Sequence, residues 1–124
     1  MSATATTPAV RALEALLELL EDAGIEATDD AGAFYPQPAG VVVGLPSYVG
    51  RTLGARRYTV AVHVVSGDPL NSRLARDRAF ALADAVALAC RIDAYRPTSW
   101  RGGVNAEPLP AIELIVPINV PEEA

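Results

Sequence analysis

The sequence from Arg57 to Ser66, R-Y-T-V-A-V-H-V-V-S, contains the longest uninterrupted β-strand pattern before the middle of the chain. Side chains alternate between the two faces of a strand, and here one face is almost wholly apolar. A second stretch, P-A-I-E-L-I-V-P-I-N-V from Pro110 to Val120, shows the same alternation and is the predicted partner of the first. Two strands with one apolar face each need a covering layer, so we expect helices packed on that face.

The chain has 124 residues, of which 51% are apolar, and its formal net charge at pH 7 is −5. This length predicts one domain over residues 1–124, with flexible ends at 1–7 and 121–124. The apolar fraction argues against disorder, and the negative charge argues against a general coat on nucleic acid. No apolar run approaches a membrane span, and the start M-S-A-T-A-T-T lacks the features of a signal peptide. We therefore expect the protein to stay in the cytoplasm where it is made, or in whatever assembles there.

The first of two predicted helices begins at Thr7-Pro8, because threonine is a good N-cap and proline suits the first helical position. Gly24 is its natural end. Apolar residues at helical spacing form one stripe, and Glu14 and Glu18 lie opposite. That acidic side is either an ordinary solvated face or a surface that awaits a basic partner.

The second predicted helix is capped within 68–72 and runs to about Cys90. One of its faces consists of small residues that allow close packing on a sheet. Leu74 and Leu88 lie on the other side, with Phe80 at the border, so either the first helix or another subunit has to cover them.

Four strands are predicted, at 41–43, 57–66, 92–100 and 110–120. Pro117 removes one backbone donor from the last strand, which indicates an edge position or a bulge. The predicted fold class is α+β, a mostly antiparallel four-stranded sheet with two helices packed on one face.

The connection at 45–56, L-P-S-Y-V-G-R-T-L-G-A-R, is long and unusually apolar for a loop. One interpretation is a wide β-hairpin whose apolar residues fold back on the core. The other is an arm that docks on a neighbouring molecule.

The residue types needed for catalysis do not cluster in the sequence. His63 is the only histidine, and without a second histidine or a Cys-x-x-Cys pair a zinc site is not supported. Cys90 faces the core near a helix C-terminus, where the helix dipole does not activate a thiol. We predict no enzyme activity, no catalytic residue, no metal and no cofactor. The alternative is a small enzyme or ligand-binding domain that uses a cleft near His63, Tyr58 and Trp100.

Charge is unevenly distributed along the chain. Such a separation of sign would let identical copies attract one another head to side in a ring, although a random surface can also show it. Residues 1–30 hold one arginine and the acids Glu14, Glu18, Glu21, Asp22, Glu26, Asp29 and Asp30, and arginines cluster at Arg51, Arg56 and Arg57 and at Arg73, Arg76 and Arg78.

The order of elements, with the strings V-V-V-G-L-P (41–46), Y-T-V-A-V-H-V-V-S (58–66), L-A-D-A-V (82–86) and S-W-R-G-G (99–103), resembles the tail terminator proteins of long-tailed, siphovirus-like bacteriophages. The likeness covers most of the chain, about residues 8–120, and rests on layout and length. It implies a small α/β domain that forms a hexameric ring in the tail–neck region of the virion. The ring would cap the tail tube, end its polymerisation and present a surface to the head–tail connector or stopper protein, while DNA passes through without sequence-specific binding.

The resemblance carries over no individual functional residue, so the predicted contact residues come from the sequence pattern alone. We predict a structural virion protein without catalysis or membrane contact, which assembles in the host cytoplasm and binds copies of itself, the tail tube protein and the connector. The alternative within the same class is a head-completion or connector protein of the neck. The predicted interface residues are Glu14, Glu18, Tyr48, Arg51, Leu53, Arg56, Arg57, Arg73, Leu74, Phe80 and Leu88.

Overall fold

A computed structural model describes residues 7–34, 36–102 and 105–122. The α+β class is confirmed, with two helices and a mostly antiparallel sheet, but the sheet has six strands where four were predicted. One additional strand lies inside the 45–56 connection, and the other has only two residues, too few to show an alternating pattern. The elements are α1 (Pro8–Asp22), β1 (Ala27–Thr28), a short 3-10 helix (Ala31–Ala33), β2 (Ala39–Val43), β3 (Ser47–Thr52), β4 (Ala55–Ser66), α2 (Arg73–Ala89), β5 (Ala94–Gly102) and β6 (Asn105–Pro121).

The two strands that the sequence pairs, β4 and β6, form the centre of the sheet. The strand order is β1-β2-β4-β6-β5, and β3 pairs with the first part of β4 on the side that β2 occupies further along. Around Val64 five strands therefore lie side by side, whereas around Arg57 only β3, β4 and β6 do. Only the β1–β2 pair is parallel among the described strands.

Among the residues that the structure describes, the last part of β6 has a strand partner on one side only. Strand β6 pairs with both β5 and β4 as far as Ile115, and from there to Pro121 it pairs with β4 alone. The backbone N–H of Glu122 donates to Gly54 O at 2.7 Å, so even-numbered residues of β6 bond to β4 and odd-numbered ones turn outward. Pro117 and Pro121 are both odd-numbered, and each withholds a donor from this free edge. Pro117 thus occupies the edge position that its missing N–H predicts.

Both helices cover the face of the sheet that carries Val60, Val62 and Val64 of β4, and these valines are fully buried. From α1, Leu16 and Leu20 reach this core, and α2 contributes mainly small side chains that allow close packing. The α1 contribution comes from the predicted apolar stripe. The buried residues of α2 are Ala75, Ala79, Ala83 and Val86.

Local hydrogen bonds explain where the helices begin and how the chain ends are held. The N–H of Val10 donates to Thr7 Oγ1 at 3.3 Å, and the N–H of Ala75 donates to Ser72 Oγ at 3.4 Å. Gly24, with a φ of +77°, follows the first helix. Of the predicted flexible ends, Thr7 accepts the bond from Val10 and the Glu122 N–H donates to Gly54 O, while residues 1–6 and 123–124 lie outside the described part, as does Gly103.

The opposite face of the sheet is only partly covered. Phe34, after the 3-10 helix, packs on Val42 and Val65 and meets the Trp100 ring edge to face, with centroids 5.1 Å apart. Trp100 is therefore a core-edge anchor, as its position at a strand end suggests. The remainder of this face, around His63, has no covering element among the described residues.

Candidate functional site

The 45–56 connection is a β-hairpin formed by β3 and the start of β4. It turns at Leu53 and Gly54, where glycine supplies the positive φ of +72° that the tight turn requires. The Tyr48 ring packs against Tyr58 at 5.7 Å near its base, and its turn is tied to the end of β6 by the hydrogen bond from the Glu122 N–H to Gly54 O. Leu53 is 103% exposed, and Leu45 and Val49 are exposed as well. The hairpin interpretation is right about the backbone, but most of the apolar side chains point to solvent and do not fold back on the core.

Three arginines give the hairpin its positive charge. Arg51 Nη2 lies 3.1 Å from Glu122 Oε2 and ties β3 to the end of β6. Arg56 is half-buried beside Pro8, where it lines a cavity of about 210 Å³, and Arg57 is exposed on the opposite face of the sheet. The hairpin itself, residues 45–56, contains no acidic residue, and the negative charge beside it belongs to Glu122, the partner of Arg51.

The outer side of α2 exposes the leucines that the sequence analysis assigned to a contact. Leu74 is 70% exposed and Leu88 is 90% exposed, so α1 does not cover either of them. Arg73 is exposed in the same first turn of the helix. Burying an exposed leucine side chain contributes about 2 kcal/mol of favourable free energy. A partner that covers Leu74 and Leu88 would therefore be stabilised by this pair.

A cavity of about 250 Å³ lies between α2 and the β5 edge of the sheet, and Phe80, Tyr95, Pro97 and Ile112 are among its lining residues. Phe80 is 48% exposed at its rim. The Tyr95 side chain is hydrogen-bonded to Asp84, and burial raises the pKa of Tyr95, with a further contribution from the negative charge of Asp84. This bond joins α2 to the outermost strand.

The acidic side of α1 borders a groove at the free edge of β6. Glu14 and Glu18 are both exposed. The groove has a volume of about 370 Å³ and is lined by apolar side chains and, on its α1 side, by two carboxylates. It is lined by Ala15, Glu18, Leu19 and Asp22 of α1 and by Pro117, Ile118 and Asn119 of β6.

A polar cluster on the uncovered sheet face was not predicted. His63 Nε2 lies 3.2 Å from Glu113 Oε2, and Arg96 approaches Glu113 Oε1 through Nη2 at 2.6 Å and Nε at 2.8 Å. The hydrogen bond from Arg96 is the main cause that lowers the pKa of Glu113, and the charges of Arg96 and His63 act in the same direction. His63 is therefore a partly buried strand histidine with an acidic partner.

The alternative cleft near His63, Tyr58 and Trp100 does not form. Tyr58 is even-numbered in β4 and points to the helix side, where it is buried, whereas His63 and Trp100 lie on the opposite face. Cys90 is buried against the core, and burial raises the pKa of its thiol. Within 7–34, 36–102 and 105–122, no three His, Cys, Asp or Glu side chains are grouped so that they could hold a metal ion.

The predicted interface residues are thus exposed, or half-buried for Arg56, and they fall on three separate elements: α1, the hairpin and α2.

Comparisons with protein-family models, with curated proteins and with solved structures found no match. Neither of the two helices in the described part has the length and apolar character that crossing a membrane requires.

Proposed function

We propose that this protein is a structural virion component, a tail terminator whose copies form a ring at the end of a phage tail tube. In this role the ring ends tube polymerisation and joins the tail to the head–tail connector, and DNA passes through it. The proposal places the protein in the neck region of the virion, after assembly in the host cytoplasm. Ring formation with six copies follows from the resemblance in sequence layout.

The observation that carries the proposal is the exposure of Leu53, Leu74 and Leu88, three large apolar side chains on two elements. Scattered exposed leucines are normal on a monomer, but these occupy a hairpin turn and the outer side of a helix. Copies of the protein and its tube and connector partners are the occupants that such surfaces would fit. This function requires no catalytic site.

The first test measures assembly. Size-exclusion chromatography with light scattering over a range of concentrations should give a ring of defined mass, in the presence or absence of tail tube protein. A strict monomer under both conditions would contradict the proposal. Electron microscopy of particles assembled without the protein gives an independent result, because loss of a terminator leaves overlong tails.

The same exposed surfaces fit a head-completion or connector protein of the neck. For that role, particles without the protein would have tails of normal length and full heads that leak DNA. The two roles are therefore separated by the same electron micrographs.

A small-ligand site is favoured by one observation only, the cluster of His63, Arg96 and Glu113 on the uncovered sheet face. A metabolite that copurifies with the protein and is lost from an Arg96→Ala variant would support this function. Normal assembly of His63→Ala and Arg96→Ala variants, with no copurifying molecule, would count against it.

A further inference from the structure

We propose that neighbouring copies join side to side, with the β3–β4 hairpin of one copy in the groove between α1 and the free edge of β6 of the next. This rests on the proposed function in one respect, that copies of the chain assemble. It adds which two surfaces meet, and it follows from their shape, their charge and their positions in the sheet.

The hairpin supplies an apolar tip and positive charge. Leu53 projects at the turn and has no contact that covers it, as its complete exposure shows. Arg51 and Arg57 stand on the two strands behind it, both exposed, and Arg51 is already ion-paired with Glu122 of its own chain, so Arg57 supplies the uncompensated charge. A tip of this kind fits a recess that combines apolar surface with acidic side chains.

The groove has those properties. Leu19 and Ile118 contribute apolar surface to it, Leu19 being 42% exposed, and Glu18 and Asp22 supply two carboxylates from successive turns of α1. Its volume of about 370 Å³ accommodates a leucine side chain with space for the flanking backbone. A basic hairpin and an acidic groove on one chain make the contact complementary in charge.

The two surfaces lie on opposite edges of the same part of the sheet. Around Arg57 the sheet consists of β3, β4 and β6, so β3 forms one lateral edge and β6 the other. A contact between different patches is heterologous, and repeated copies then continue around a ring or along a filament. A symmetric dimer would need one self-complementary patch, which neither edge provides.

The free edge of β6 also determines how the copies can touch. Pro117 and Pro121 lack the N–H groups that an incoming strand would need, so β3 of the neighbour cannot extend the sheet by a continuous backbone ladder. The contact therefore depends on side chains, the leucine tip and the opposed charges. This makes it sensitive to charge reversal.

The test uses reciprocal charge reversal. The hairpin variant is Arg51→Glu with Arg57→Glu, and the groove variant is Glu18→Arg with Asp22→Arg. Each variant alone should associate about 100-fold more weakly than the wild type, because like charges then face each other. An equimolar mixture should recover wild-type assembly, since every hairpin again meets a groove of opposite charge.

The control is Asp29→Arg, which reverses one carboxylate, against two in the groove variant, in an exposed loop next to β1, away from both surfaces. It should assemble as the wild type does. Sedimentation velocity reports the mass of each sample, and recovery in the mixture also shows that both variants are folded.

Two results would overturn the inference: hairpin and groove variants that each assemble normally, or a mixture that stays dissociated. If the wild type assembles while these results are obtained, this interface is wrong and the ring proposal stands. If the wild type itself never assembles, with or without tube protein, both are wrong.

Discussion

Replacing Leu53 with alanine separates association from folding more clearly than any other single change in the chain. The Leu53 side chain is fully exposed in the isolated molecule, so its removal should alter the free energy of unfolding by about 0.5 kcal/mol or less. Alanine also suits the backbone, because the positive φ of the turn belongs to Gly54.

In the assembled state the same change removes about three carbon groups from a buried contact. At about 0.8 kcal/mol for each buried group, the upper limit is about 2.4 kcal/mol for each interface. A loss of about 2.4 kcal/mol corresponds to a dissociation constant about 60-fold higher. Analytical ultracentrifugation of a dilution series measures this shift directly, and urea unfolding of the same sample measures stability.

Leu16→Ala is the matched control. Leu16 is fully buried between α1 and the sheet, and its truncation should cost about 3 kcal/mol of folding free energy through lost burial and a cavity. The reasoning is refuted if Leu53→Ala assembles with wild-type affinity, or if it destabilises the protein as strongly as Leu16→Ala does.

Three further predictions concern stability and reactivity. A hydrogen bond and nearby positive charges lower the pKa of Glu113, so its contribution is present above the ordinary carboxyl pKa and is lost as the pH falls through the lowered value. In urea unfolding, Glu113→Gln should therefore be less stable than the wild type by about 1 kcal/mol or less at pH 7, and the difference should disappear as the pH falls through the lowered pKa of Glu113; a constant difference would contradict this. Gly67→Ala places a Cβ against carbonyl oxygens of the 36–38 segment and should lower stability by about 1–3 kcal/mol, whereas Gly50→Ala, whose Cβ meets nothing within 4 Å, should have little effect in thermal denaturation; equal effects would refute the packing at 36–38. Cys90 should react with a thiol reagent much more slowly in the folded than in the urea-unfolded protein, because burial shields the thiol and raises its pKa, and equal rates would show that α2 does not protect it.

The parts of the fold that the sequence predicted are those that depend on short-range pattern. The first turn of α1 follows from a threonine cap before a proline, and its stripe of leucines identifies the buried side. The central pairing of β4 and β6 follows from two long alternating stretches. These signals act within about ten residues, where local propensity and burial agree.

The pairing register of the strands could not be predicted from the sequence in the same way. His63, Arg96 and Glu113 lie on three strands, and nothing in their spacing shows that they face one another. The two-residue strand β1 depends wholly on its pairing with Val41 and Val42. Such features arise from tertiary packing, which a single sequence does not encode in a readable period.

The hairpin illustrates a second limit. The sequence of 45–56 shows that the connection is apolar, but both a segment that folds inward and one that projects have this composition. The difference lies in the tight turn at Gly54 and in the pairing of β3 with β4, which carry Leu53 away from the core. Only the three-dimensional arrangement shows which side chains remain without a partner.

The sheet is five strands wide around Val64 and three strands wide around Arg57, so it narrows by two strand spacings, roughly 10 Å. Wedge-shaped subunits that contact one another at their narrow ends diverge at their broad ends, so a row of them is curved. If copies join through the hairpin, the narrow ends point inward and the taper sets the curvature of the row. Lengthening β2 or β5 toward the narrow end would then reduce the curvature of the row and change the number of copies in a closed ring.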